Sequence, residues 1–121
     1  MTQFVHLRVH TEYSLVDGVV RVPALMKAVA AAGMPAVALT DQNNLFAMVK
    51  FYSEAQKQGI KPVIGVDVLL REGDERAEPS RLTLLVQDND GYRNLTRLVS
   101  RAYLEGQQRG VPMLERGWLD A

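Results

Sequence analysis

Hydrophobic and polar positions alternate from Phe4 to Val9, with Phe4, His6 and Arg8 on one side and Val5, Leu7 and Val9 on the other. A period of two predicts a strand whose Val/Leu side packs and whose other side carries polar heads. Thr11 to Gly18 follows as a loop, with turn chemistry at Asp17-Gly18. The period then changes. Val22, Leu25, Met26 and Val29 fall at helical spacing, Pro23 suits a first helical turn, and Ala28 to Ala32 favour helix. Gly33 ends this helix and Pro35 keeps it from resuming. Ala36 to Thr40 is a short, nearly all-apolar run, which predicts a strand buried on both faces, as in a parallel sheet. After the polar loop 41–44, Leu45, Met48, Val49, Tyr52 and Ala55 mark a second amphipathic helix closed by Gly59. Pro62 to Leu70 is a third strand and Leu82 to Val86 a fourth. Between them, Arg71 to Ser80 carries six charges, a Gly and a Pro, and reads as a solvated loop. Asn89-Asp90-Gly91 turns into a third helix on Tyr92, Leu95, Leu98, Val99 and Ala102. The tail from Gly106 to Ala121 is mixed, and Leu114 to Leu119 is read as the start of another helix.

The order is β-α-β-α-β followed by β-α. Strands alternating with helices imply parallel pairing and right-handed crossovers, hence an α/β fold. A length of 121 residues suits one domain, and 47% hydrophobic residues is ordinary for a globular chain. Fourteen Lys and Arg balance fourteen Asp and Glu, so the chain lacks the basic excess of a protein that holds DNA by charge. With no cysteine, disulfides, thiolate zinc sites and thiol catalysis are excluded, and a cytoplasmic setting is expected. No apolar run approaches the ~20 residues that span a bilayer, so no membrane partner is expected. Met1-Thr2-Gln3-Phe4 lacks the layout of a signal peptide.

In parallel α/β folds the working residues gather at the C-terminal ends of strands. Here those ends offer His6, Arg8 and His10; Asp41 and Gln42; Asp67, inside its strand; and Gln87 and Asp88. In an extended segment His6, Arg8 and His10 would project to one face. Two histidines and two aspartates are a thin metal site, and Arg8 between the histidines repels a cation and prefers a carboxylate or phosphate. The residues by themselves favour a pairing of Arg8 with Asp41 or Asp67, with the histidines hydrogen-bonded in a polar core. Tyr13 and Ser14 are read chiefly as loop packing, Asp17 as the shaper of its turn, Lys50 and Lys61 as solvated, and Trp118 as a core residue of a terminal element.

Four ordered blocks carry a family resemblance. They are Phe4-Val5-His6-Leu7-Arg8-Val9-His10-Thr11-Glu12-Tyr13-Ser14-Leu15-Val16-Asp17-Gly18; Gly33 to Asp41 with Asn44-Leu45 and Val49 to Tyr52; Gly59 to Asp67; and Gly91 to Thr96 with Leu98 and Ser100. Together they resemble the PHP (polymerase and histidinol phosphatase) domain. More narrowly, they are similar to the form of that domain that opens the alpha subunits of bacterial replicative DNA polymerases of the polymerase III type. The resemblance implies a distorted barrel of mostly parallel strands with outer helices. Residues 1–121 would form about the first half of that domain, with the polymerase catalytic domains absent.

Carried residue by residue, the family's metal positions fall on His6, His10, Asp41 and Asp67. Two further ligand positions are substituted, one by Arg8 and one by Gln42, and Asp67 stands where a longer glutamate is usual. A guanidinium cannot ligate and an amide is a poor ligand for a transition metal. The expectation is a vestigial site, with no tightly bound metal and no catalytic residue, in which Arg8 replaces the metal's charge and bridges Asp41 or Asp67. The implied function is that of a scaffold and interaction module of a polymerase that, intact, would carry out DNA-directed DNA synthesis with magnesium. The resemblance also implies docking of the proofreading exonuclease subunit, with DNA held mainly by absent domains. An independent metal-dependent phosphoesterase of the PHP type is the alternative. Because an open sheet leaves an unpaired edge, a homo-oligomer is also expected.

Overall fold

The computed structural model describes residues 4–14, 18–72 and 78–120. The expected turn at Asp17 and the middle of the charged 71–80 loop lie outside them. A short 3-10 turn, Glu12–Ser14, leads to helix α1, Val22–Ala31, and strand β1, Ala36–Leu39. Helix α2 (Met48–Gln58), strands β2 (Lys61–Arg71) and β3 (Ser80–Leu85), helix α3 (Asn89–Glu105), strand β4 (Leu114–Glu115) and a 3-10 turn at Arg116–Asp120 follow.

Strand β2 is the centre of the sheet. It pairs in parallel with β1, Ala36 opposite Lys61 through Leu39 opposite Ile64. It also pairs antiparallel with β3, Gly65 opposite Leu85 through Leu70 opposite Ser80. Its far end takes β4 in parallel, Leu70 opposite Leu114. Two of the three pairings are therefore parallel, but the longest is not. Only eight residues, 72–79, separate β2 from β3. A parallel return needs a crossover of about a dozen residues or more, whereas a loop suffices for a hairpin.

The helices cover one face of the sheet. Val22, Met26, Val29, Val37, Leu39, Phe51 and Ala55 form one buried cluster under α1 and α2. Val66, Val68, Leu70, Leu95, Ala102 and Leu114 form a second under α3. Along β2 the even-numbered residues face these helices, so the odd-numbered Asp67 faces away from them.

Local chemistry sets the ends of the helices. Pro23 sits in the first turn of α1. Gly33 and Gly59 follow α1 and α2 with φ of 73° and 68°, a left-handed conformation in which a side chain costs energy. Helix α2 begins three residues later than its apolar spacing predicts, because Asn44 accepts a bond from the Phe46 N–H at 3.1 Å and holds a turn there. The Asp88 carboxylate caps α3 by accepting the Gly91 N–H at 2.8 Å.

Two expectations are corrected. Phe4 to Val9 is not a ladder strand. It touches β1 through a bridge of His6 to Val37, and through bonds from Ala38 N–H to the His6 carbonyl and from Thr40 N–H to the Val9 carbonyl. Three residues on one side thus span two on the other, so the alternation breaks and Leu7 is left 53% exposed instead of packed. The tail is not a helix from Leu114 onward. Leu114 is fully buried beside β2, and only then does the chain coil into a 3-10 turn. Trp118 packs against the second cluster, with the Arg101 guanidinium 4.0 Å from its ring centre.

Candidate functional site

The site is built where β1 runs out against β2. Beyond Leu39 the two strands part, then meet again with Gln42 opposite Asp67, in the same register that sets Leu39 opposite Ile64. The Asp67 N–H donates to the Asp41 carbonyl at 3.1 Å, and the Asn43 N–H to the Asp67 carbonyl at 2.8 Å. The backbone of loop 41–44 therefore fixes the height of the Asp67 side chain.

That carboxylate is the hub. Asp67 is 5% exposed. Its Oδ2 accepts the Arg8 Nε–H at 2.7 Å and lies 2.5 Å from His10 Nε2. Its Oδ1 accepts the Thr83 hydroxyl, which sits directly across the hairpin on β3. A buried charge is tolerable only when paired and hydrogen-bonded, and here both oxygens are engaged. Arg8, His10, Gln42, Asp67 and Arg81 line a shallow pocket at this place.

Asp41 has a separate task. It is 1% exposed, and its carboxylate accepts the Thr11 N–H at 2.5 Å, the Thr11 hydroxyl at 2.8 Å and the Ser14 hydroxyl at 3.0 Å. The Gln42 N–H donates to the Ser14 oxygen at 3.0 Å, and the Asn44 amide donates to the Tyr13 carbonyl at 2.9 Å. The loop at 11–14 is thus tied to the loop at 41–44 by bonds that each use at least one side chain. Ser14 packs the loop, as its surroundings predicted.

Of the positions picked out in the sequence, Arg8, His10 and Asp67 come together. Asp41 and Gln42 lie next to them on the strand end, with Asp41 facing Thr11 and Ser14. His6 is exposed and stands apart, its ring edge-on to Phe4 at 4.7 Å between centres. The one-residue slip between residues 6 and 9 is the cause, since it separates His6 from the face shared by Arg8 and His10. Gln87 and Asp88 are at the wrong end of the sheet, because β3 runs antiparallel and its C-terminus points away from the site. Thr83 and Thr11 were not foreseen. A hairpin reading of the short link between β2 and β3 would have found Thr83.

The donors here do not fit a cluster of metal ions. Arg8 puts a fixed positive charge on Asp67 Oδ2, and both Asp41 oxygens are taken by the 11–14 loop. Gln42 contributes an amide. Among the described residues no three His, Asp or Glu side chains converge as ligands.

An α/β sheet with outer helices thus holds a polar centre at the ends of its parallel strands. Residues 6–121 match the PHP domain, so the chain belongs to the PHP domain family. Within it the similar proteins are DNA polymerase III alpha subunits. The chain is 54% identical over 116 residues to that of Pseudomonas fluorescens and 56% identical over 116 residues to that of Pseudomonas aeruginosa. It is 45% identical over 117 residues to that of Escherichia coli K12. These alignments cover 96–97% of the chain, which spans about 10% of the length of these relatives. Among solved structures, an amidohydrolase from Chromobacterium violaceum aligns with a TM-score of 0.63 at 20% identity, over 83% of this chain and 33% of that one. A protein from Bifidobacterium adolescentis assigned as a metal-dependent phosphoesterase aligns with a TM-score of 0.64 at 14% identity, over 86% and 34%. These two likenesses show the fold: the chain is part of a barrel of this type. No helix among the described residues is long and apolar enough to cross a membrane.

Proposed function

We propose that this chain is the opening part of the PHP domain of a replicative DNA polymerase alpha subunit, and that its strand-end centre is a structural ion pair rather than a hydrolytic metal site. The observation that carries this reading is the Arg8 Nε–Asp67 Oδ2 bond of 2.7 Å. It puts a permanent cation on a buried carboxylate at the spot where the family holds metal ions. A guanidinium is planar, always charged and shaped to donate to carboxylates, so it neutralises Asp67 at every physiological pH. His10 and Thr83 complete the shell, and the three donors join the N-terminal segment, β2 and β3. As a scaffold, the domain would offer surfaces to the proofreading exonuclease subunit. Polymerisation, with its magnesium and its grip on DNA, would belong to the further domains of the intact parent. The identity to polymerase alpha subunits over nearly all of the chain supports that parentage over an independent phosphoesterase.

The test is calorimetric titration of the purified chain with manganese and zinc, alongside hydrolysis of p-nitrophenyl phosphate with manganese added. The expected result is no saturable binding below about millimolar metal and no turnover above background. Micromolar binding that releases protons, or metal-dependent turnover lost in Asp67→Ala, would favour the phosphoesterase. Parentage is tested separately. A Pseudomonas alpha subunit carrying this segment in place of its own should retain primer extension.

A further inference from the structure

We draw no further inference here: the strongest candidate, the shallow pocket at the strand ends where the Arg8 and Arg81 guanidinium groups and the Gln42 amide could donate to an anion, belongs to the site already described, and because the chain is only part of a barrel nothing in the structure shows what covers it.

Discussion

Arg8 and Asp67 are 59 residues apart in the chain and 2.7 Å apart in space. The bond closes the strand-end centre from above while Thr83 closes it from the neighbouring strand. Arg8 is half exposed and Asp67 is nearly buried, so the two residues stand to lose different amounts on substitution. Removing Asp67 takes the acceptor from three donors. Removing Arg8 leaves a carboxylate that still has His10 and Thr83.

Asp67→Ala is therefore expected to destabilise the chain by about 3 kcal/mol or more, the range for breaking a buried charge network. Arg8→Ala should cost less, about 1 kcal/mol, because solvent screens its exposed half. Urea denaturation of both variants checks the order. An Arg8 variant costing more than the Asp67 variant would contradict the hub.

Thr11→Val removes a hydroxyl that donates to Asp41 while keeping the shape of the side chain. Asp41 then keeps the Thr11 N–H and the Ser14 hydroxyl but loses one buried bond, a cost of about 1–3 kcal/mol. Hydrogen exchange should show the larger effect at Thr11, Gln42 and Asn44, where the two loops are tied. Uniform loss of protection would count against a local latch.

Asp88→Ala deletes the cap of α3 and should cost about 1 kcal/mol. Gly59→Ala tests conformation alone. No atom lies within 4 Å of the added carbon, yet φ is 68°, so about 1 kcal/mol of strain is expected with no steric contribution. Melting temperatures of the two variants should fall by similar amounts.

Burial pushes the Tyr103 hydroxyl above its ordinary value of 10.0. The folded chain thus holds this proton more tightly than the unfolded chain does. The stability it contributes is complete below pH 10 and is lost as the pH climbs above it. Tyr103→Phe should flatten this part of the alkaline stability profile. If wild type and variant lose stability in parallel above pH 10, the tyrosine is not responsible.

Sequence periodicity sufficed to place α1, β1, β2 and α3 to within a few residues. Their apolar spacing and their end signals, Pro23 and Gly33 for α1 and Asp88 for α3, act over a few neighbouring residues and need no tertiary contact. The candidate residues Arg8, His10 and Asp67 were legible for the same reason: their chemistry sits at strand ends that the pattern reveals. Which of them meet was not legible. His6 left the group because one extra residue slipped between the N-terminal segment and β1. Thr83 joined it because a link too short for a crossover turned β3 antiparallel, and Asp41 was claimed by Thr11 and Ser14. Each outcome depends on register between segments 16 to 31 residues apart. Register is decided by how whole strands pack, which a local pattern does not encode.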